Sequence, residues 1–217
     1  MKNKYSDVFE GEERLYLDDK SIFYLVSELQ DHKLSGTNRD VISEAFQVFW
    51  GPGLRGEKGQ FFTPRNVVRM CIEILNPKPG EKIIDPACGS GGFLVECMAH
   101  LDTEKSFHNI FGIDKEVDLA KICKTYMSIV GDGHSNIFCA DSLDFTSRSA
   151  LVLVYITNED FDIVLTNPPF GARISIEDQK ILKFYKLGHK WRKRKEGAWD
   201  LNNPPPKQVP QVLFIER

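Results

Sequence analysis

The sequence predicts an α/β protein with a doubly wound parallel sheet, and two observations carry that prediction. Short apolar runs alternate with segments whose apolar residues recur every three to four positions, in the order strand, helix, strand, helix, strand. Glycine or acidic residues follow the apolar runs. These positions are the carboxyl ends of the predicted strands, and in parallel sheets such ends form a ligand crevice. With 217 residues the chain can bury a sizeable core, so we expect one sheet domain after a shorter helical segment.

The first 58 residues predict that helical segment. Apolar residues follow helical spacing in two sets, Ile22, Leu25, Val26, Leu29 and Ile42, Ala45, Phe46, Phe49. A glycine-rich loop, GPGLRGEKG (51–59), separates them from the sheet domain, which we place at residues 59–217.

The elements of the sheet domain follow in order. Thr63 and Pro64 are suited to the N-cap and first position of a helix. Strands are predicted at residues 82–85, 109–114, 136–140 and 161–166. The three helices have the following predicted inner faces: Val67, Met70, Cys71, Ile74, Leu75; then Leu94, Cys97, Met98, Leu101; then Leu119, Ile122, Cys123, Tyr126, Met127, Val130.

Composition excludes several classes of protein. The net charge of −3 gives no overall signature of nucleic-acid binding, so such a contact must come from a local patch. Five cysteines form no CxxC pair and no Cys/His cluster, which indicates reduced thiols and no metal site. The charged first residues do not resemble a signal peptide, and no apolar run has membrane-spanning length. We therefore expect a cytoplasmic protein without a membrane partner.

The ends of the first three strands carry residues suited to hold an adenosine. The first ends in DPACGSGGF (85–93), whose glycines allow close backbone approach to a ligand, but Leu94 breaks the dinucleotide fingerprint G-x-G-x-x-G. Asp114 and Asp141 end the next two strands and could accept hydrogen bonds from ribose and adenine. Singly, each is more often a capping or solvated acid. Together, and without a phosphate-binding lysine, they favour an adenosine that carries no phosphate.

The fourth strand ends in TNPPF (166–170). Two consecutive prolines make a stiff corner, because each fixes its own φ and restricts the residue before it. Alone, the NPP tripeptide is more often a rigid turn than a functional site.

GQFFTP (59–64), DPACGSGGF, GID (112–114), ADS (140–142) and NPPF together resemble S-adenosylmethionine-dependent DNA adenine-N6 methyltransferases in order and spacing. The likeness is greatest to the modification subunits of type I restriction-modification systems, and it covers about residues 40–217. It implies a Rossmann-like methyltransferase sheet and the cofactor S-adenosyl-L-methionine. The residues that it implies for cofactor binding are Phe62, Thr63, Asp85, Ala87, Gly89, Gly91, Asp114 and Asp141. For Phe62, plain core packing is supported equally well.

The resemblance also gives TNPPF a chemical role. The side-chain oxygen of Asn167 and a carbonyl of the prolines Pro168 and Pro169 could each accept one hydrogen bond from adenine N6, which aims its lone pair at the methyl donor. Phe170 offers a face on which the base could stack. A duplex adenine must then leave the helix, so the resemblance implies base flipping.

A local basic patch follows in KFYKLGHKWRKRK (183–195). Its cations alternate with aromatic residues, a composition suited to phosphate contacts and stacking. The candidate nucleic-acid residues are Lys190, Arg192, Lys193 and Arg194. A solvated, mobile loop is the alternative interpretation.

Relatives of this kind continue beyond PQVLFIER (210–217), so we expect a truncated chain that lacks the later strands of the sheet. The fourth strand would then be an exposed edge through which copies could pair. The resemblance implies double-stranded DNA, a specificity subunit and a restriction subunit as partners. Two alternatives stay open, a methyltransferase that acts on protein glutamine or RNA, and a non-catalytic remnant that binds a cofactor or a partner.

Overall fold

The structure is a computed structural model, and it describes residues 14, 16–32, 63–101, 108–130, 136–145, 156, 161–170 and 174–217. Its helices are α1 (Asp19–Leu29), α2 (Arg65–Leu75), α3 (Gly92–Leu101), α4 (Val117–Val130), α5 (Gln179–Phe184) and α6 (Pro210–Glu216). Its strands are β1 (Ile83–Asp85), β2 (Ile110–Asp114), β3 (Asn136–Cys139), β4 (Ile163–Val164), β5 (Trp191–Lys193) and β6 (Trp199–Leu201). Within these ranges no helix is both long and apolar enough to cross a membrane.

The first four strands form one parallel sheet in the order β3-β2-β1-β4. β1 lies between β2 and β4, with Ile84 opposite Phe111 on one side and Val164 on the other. The chain therefore moves outward from β1 in one direction and returns to its other side, which places the switch point at the end of β1. The predicted α/β class and parallel sheet are confirmed.

The helices α3 and α4 bury the faces that the sequence predicts. All four predicted residues of α3 are buried, and in α4 only Ile122 is half-buried rather than buried. These faces pack with β1 and β2 in one apolar cluster that contains Ile83, Leu94, Met98, Ile110 and Met127. This core fixes the ends of β1 and β2 relative to each other.

The predicted start and inner face of α2 are wrong. Its buried residues are Val68 and Ile72, whereas the predicted residues Val67, Met70, Ile74 and Leu75 are exposed and Cys71 is half-buried. An ion pair between Arg69 Nε and Glu96 Oε1 of α3, at 2.8 Å, helps to set the rotation of the helix. Pro64, not Thr63, occupies the N-cap position, and no side-chain capping bond is present among the described residues.

The predicted helix in the first segment is confirmed as α1, whose N-cap Asp18 accepts hydrogen bonds from the backbone N–H groups of Lys20 and Ser21. Its apolar residues Leu25, Val26 and Leu29 are exposed in the described part of the chain. The second predicted helical set, at residues 42–49, lies outside the described residues.

The basic segment 183–195 is not a simple loop. It contributes the end of α5 and the strand β5, which pairs antiparallel with β6. The base of this β5–β6 hairpin is joined to the turn after α5 by a hydrogen bond from Trp191 Nε1 to the carbonyl of Lys186, at 3.1 Å. Helices α5 and α6 pack on Leu143, in the loop after β3, through a cluster with Leu182, Tyr185 and Leu213.

Candidate functional site

The glycine loop after β1 is held by its own backbone. The N–H of Cys88 donates to the carbonyl of Ile113 in β2, at 2.9 Å, and the N–H of Gly91 donates to the carbonyl of Cys88, at 2.8 Å. Gly91 has φ of +91°, and a Cβ atom there would lie 2.6 Å from the sulfur of Cys123 in α4. Glycine is therefore required at this position by backbone conformation and by space.

Asp114, at the end of β2, ties that loop to the neighbouring strand. Its Oδ2 accepts a hydrogen bond from the N–H of Gly89, at 2.9 Å, and its Oδ1 accepts one from the N–H of Glu116, also at 2.9 Å. Burial raises the pKa of Asp114, and these two hydrogen bonds partly oppose the rise. The sequence predicts a ribose contact or a capping acid here, but not the bond to the glycine loop. Each carboxylate oxygen still has acceptor capacity for a ligand hydroxyl.

Asp85, at the end of β1, is a fully buried carboxyl group beside Asp114. Its Oδ1 accepts a hydrogen bond from the N–H of Ala87, at 3.0 Å. Burial raises the pKa of Asp85 to about 7, and the negative charge of Asp114 adds to the rise. A carboxyl group in this state would be stabilised in its charged form by a cation placed nearby.

The loop after β3 closes against the loop after β1. The hydroxyl of Ser142 donates to the carbonyl of Pro86 at 2.6 Å, and Asp141 Oδ1 accepts from the N–H of Leu143 at 2.9 Å. Asp141 is half-buried. Ser142 was not predicted as a site residue, although its place directly after Asp141 at a strand end is the signal that could have found it.

The NPPF segment lies on the other side of β1. The N–H of Leu165 donates to the carbonyl of Ile84, at 3.0 Å, which continues the pairing of β4 with β1 up to this segment. The side-chain amide of Asn167 donates from Nδ2 to the hydroxyl oxygen of Thr63, at 3.0 Å. Asn167, Pro168 and Pro169 are half-buried, whereas Phe170 is 44% exposed.

The structure thus joins the predicted site residues in groups. Asp85 with Ala87, Gly89 with Asp114, and Thr63 with Asn167 are connected directly. Phe62 lies outside the described residues. Strand pairing places Asp85, Asp114 and the segment that contains Asn167 at the carboxyl ends of parallel strands of one sheet, where α/β sheets bind ligands.

The four basic candidates lie together on the β5–β6 hairpin. Lys190, Arg192, Lys193 and Arg194 are all exposed. Arg194 forms a bidentate ion pair with Asp200, with Nε–Oδ2 at 2.6 Å and Nη2–Oδ1 at 2.5 Å. Asp200 was not predicted as a site residue. It removes part of the positive charge from the patch.

The sequence matches a family model described as N-6 DNA Methylase over residues 38–215. It is 34% identical over 126 residues to the type I restriction enzyme EcoEI methylase subunit of Escherichia coli, a match that covers 54% of this chain and 24% of that protein. It is 30% identical over 163 residues to the MjaIX methylase subunit of Methanocaldococcus jannaschii, covering 71% and 27%. The chain spans about a quarter of the length of these relatives.

Solved structures show the same fold. A modification subunit assigned to a type I restriction enzyme of Vibrio vulnificus YJ016 superposes with a TM-score of 0.59 at 25% identity, covering 84% of this chain and 39% of that one. A chain from an assembly of a type I restriction-modification system gives a TM-score of 0.56 at 25% identity, covering 91% and 39%. A class I S-adenosylmethionine-dependent methyltransferase of Listeria monocytogenes gives 0.62 at 17% identity, covering 98% and 59%.

Proposed function

Because the chain belongs to the N-6 DNA methylase family, we propose that it transfers a methyl group from S-adenosyl-L-methionine to N6 of an adenine in DNA, within a restriction-modification system. The observation that carries this proposal is the place of Asn167. Its amide is held at the end of β4, directly beside the strand whose glycine loop forms the cofactor side of the crevice. Asn167 and the glycine loop after β1 then face the same crevice, at the switch point of the sheet.

The cofactor side of the proposed site uses residues Thr63, Asp85, Ala87, Gly89, Gly91, Asp114 and Asp141, with Phe62 from the sequence resemblance. The positive φ angles of Gly89 and Gly91, 54° and 91°, allow the backbone to approach a ligand closely. Asp85 is suited to a cationic ligand, because its buried carboxyl group would ionise more readily beside a positive charge. When bound, the cofactor supplies an electrophilic methyl group on a sulfonium.

The substrate side uses the NPPF segment. Asn167 Oδ1 and the carbonyl of Pro168 each accept one hydrogen bond from the N6 amine, which withdraws the lone pair from the adenine ring and fixes its direction. Pro169 restricts the backbone around both acceptors. Phe170 is exposed enough to stack on the base, which must be flipped out of a duplex to reach this site.

A methyl-transfer assay on adenine-containing duplex DNA, in the native assembly that contains this chain, tests the proposal. We expect Asn167→Ala to lower kcat by about 10²–10³, the effect of removing one preorganised hydrogen bond at a reacting group. The affinity for S-adenosyl-L-methionine, measured by calorimetry, should change little. Near-normal turnover of this variant would contradict the role of Asn167. Transfer to glutamine or RNA, or to no substrate at all, would contradict the proposed function.

The β5–β6 hairpin is the proposed DNA contact. Residues 183–201 contain seven Lys and Arg side chains and two acids, whereas the whole chain has a net charge of −3. Cross-strand pairing puts Trp191, Lys193, Trp199 and Leu201 on one face of the hairpin, because alternate residues of a strand share a face. Arg192, Arg194 and Asp200 lie on the other face, where the acid neutralises part of the charge. We propose that the face with Lys193 and the tryptophans contacts DNA.

Binding of duplex DNA by fluorescence anisotropy over a series of salt concentrations tests this contact. Lys193→Gln should reduce the slope of log K against log salt by about 1, because one phosphate contact is lost. Arg194→Gln is the matched control on the opposite face and should reduce the slope less, since Asp200 already neutralises that cation. Equal slopes for Lys193→Gln and the unaltered protein would contradict the contact.

Because this chain is similar to methylase subunits of type I enzymes, we propose that a specificity subunit and a restriction subunit are its protein partners. Pairing of two copies through the β4 edge also stays a proposal. In the described residues β4 has β1 as its neighbour, so its other side has backbone groups that could pair.

A further inference from the structure

Tyr185 belongs to the basic segment 183–195, but its ring is not on the surface. It directly follows α5, is only 3% exposed, and packs with Leu143, Leu182 and Leu213. The stacking role predicted for the aromatic residues of this segment does not extend to Tyr185, because a buried ring offers no face to a nucleic-acid base.

The hydroxyl of Tyr185 binds the loop after β3. It donates a hydrogen bond to the carbonyl oxygen of Leu143, at 3.0 Å, in the interior of the protein. A carbonyl oxygen can only accept, so the phenol is the donor in this bond. Burial raises the pKa of Tyr185, which keeps the donated proton on the phenol.

The loop that Tyr185 binds contains Asp141, the acid predicted to accept a hydrogen bond from the adenine of the cofactor. Asp141 Oδ1 accepts a hydrogen bond from the N–H of Leu143, at 2.9 Å. This is the Asx turn, in which an acid bonds to the backbone two residues on. Leu143 thus holds the carboxylate through its N–H and is itself held by Tyr185 through its carbonyl. The position of Leu143 therefore sets the position of the carboxylate.

The same loop has a second contact of this kind. Arg217, directly after α6, donates from Nε to the carbonyl oxygen of Ser142, at 2.9 Å, and its guanidinium lies 4.9 Å from the centre of the Phe145 ring. Two consecutive carbonyl groups of the loop are therefore bound by side chains that follow α5 and α6. These side chains connect the segment after the NPPF motif to the cofactor side of the crevice.

We propose that Tyr185 is a positioning residue for the cofactor site, which holds Leu143 so that the carboxylate of Asp141 stays in place for the adenine of S-adenosyl-L-methionine. The inference rests on the proposed function, from which it takes the contact between Asp141 and the cofactor. It gives one residue of the basic segment a part in cofactor binding, separate from the proposed DNA contact of the hairpin.

The variant Tyr185→Phe tests the proposal, because it removes the hydroxyl and keeps the ring in the apolar cluster. Its affinity for S-adenosyl-L-methionine, measured by calorimetry in the native assembly that contains this chain, should fall about two- to tenfold, the range for one neutral hydrogen bond. Tyr126→Phe is the matched control. It removes the hydroxyl of another buried tyrosine, which packs in the cluster with β1 and β2, and it should leave the affinity unchanged. Circular dichroism at the temperature of the titration checks that both variants are folded.

A double-mutant cycle separates positioning from a general loss of packing. In an Asp141→Ala background, Tyr185→Phe should lower the affinity no further, because the carboxylate that it positions is absent. An equal loss with and without the Asp141 carboxylate would overturn the proposal, since Tyr185 would then act on the cofactor site without Asp141.

The side-chain carboxyl carbon signal of Asp141 in ¹³C-labelled protein gives a readout that needs neither cofactor nor activity. It should shift in Tyr185→Phe and stay in place in Tyr126→Phe, and a signal that does not respond to Tyr185→Phe would overturn the proposal. If the unaltered protein does not bind S-adenosyl-L-methionine, the proposed function fails and this inference fails with it. Binding that Tyr185→Phe leaves unchanged would overturn this inference alone.

Discussion

Two glycines of this protein have nearly the same positive φ angle in different surroundings. Gly91, in the loop after β1, has φ of +91°, and Gly197, in the turn between β5 and β6, has φ of +90°. A Cβ atom at Gly91 would lie 2.6 Å from the sulfur of Cys123, whereas at Gly197 it would have no described atom within 4 Å. The crevice loop is therefore determined by packing as well as by conformation, and the hairpin turn by conformation alone.

The polar groups of the crevice and those of the β5–β6 hairpin also differ in their surroundings. In the crevice, Asp114 accepts hydrogen bonds from backbone N–H groups of two segments, and Asp85 is buried. On the hairpin, the charged side chains are mostly exposed, and Arg194 pairs with Asp200 of the adjacent strand. Changes in the crevice should therefore cost folding stability with little dependence on salt. Changes to the charged side chains of the hairpin should cost little and depend on salt.

Gly91→Ala gives the largest expected loss of stability, and Gly197→Ala is its comparison. Gly197→Ala should lower the free energy of unfolding by about 1–3 kcal/mol, the cost of a strained backbone conformation. Gly91→Ala should cost about 1–3 kcal/mol more, because Cys123 must also be displaced. Urea denaturation at neutral pH measures both.

A double-mutant cycle identifies the cause of that difference. In a Cys123→Ala background the sulfur is absent, so the further cost of Gly91→Ala should approach that of Gly197→Ala. Equal costs of the two alanine substitutions in the unaltered protein would show that packing against Cys123 does not constrain the loop.

The sequence predicts the sheet and its strand ends well because their signals are local. The predicted face of α3 is confirmed because Leu94, Cys97, Met98 and Leu101 leave one apolar side. In α2, the apolar residues cover a face that is wider than the part that is buried, at Val68 and Ile72, so periodicity alone does not identify the buried side. The contact of Arg69 with Glu96 is not visible in the local pattern.

Most features of the site that were not predicted from the sequence depend on contacts between residues far apart in the chain. The Thr63–Asn167 bond spans 104 positions, and the bond from Ser142 to Pro86 spans 56. The hairpin was missed for another reason. Its turn signal at Gly197 and its two tryptophans were present, but the run of charge favoured a phosphate-binding segment or a loop.

Asp85 provides the second prediction, on the pH dependence of stability. Its pKa is about 7 in the folded protein and near 3.8 when unfolded, so the folded state holds the proton more tightly. The unaltered protein should lose stability relative to Asp85→Asn as pH rises from 4 to 7, by a few kcal/mol at about 1.4 kcal/mol per pKa unit. The loss should end above pH 7.

The measurement is urea denaturation at several pH values. Asp118→Asn, at the exposed start of α4, is the control for the removal of one acid. A difference between the unaltered protein and Asp85→Asn that is constant with pH would contradict the assigned pKa.

Asp114 should show a smaller effect. Asp114→Ala leaves the N–H groups of Gly89 and Glu116 without their acceptor, and we expect a loss of about 1–3 kcal/mol of unfolding free energy. Asp114→Asn keeps one acceptor oxygen and should lose roughly half as much. Calorimetry with S-adenosyl-L-methionine on the Asn variant, which keeps the loop better anchored, then reports the contribution to ligand affinity. Unchanged affinity would leave Asp114 with the structural role alone.

The smallest expected effect is that of the Arg194–Asp200 pair on the hairpin. Both side chains are solvent-accessible, with 59% and 41% of their surfaces exposed, so water and salt compete with the ion pair. The coupling in a double-mutant cycle of Arg194→Gln and Asp200→Asn should be small at low salt and smaller still in 1 M NaCl, where the Debye length is about 3 Å. The Arg69–Glu96 pair is the matched comparison, because Glu96 is only 16% exposed and the pair joins two helices of the core. Its coupling should persist better in salt, since a partly buried pair is screened less. Equal salt sensitivity of the two pairs would remove the distinction between a packed crevice domain and a hairpin held by local contacts.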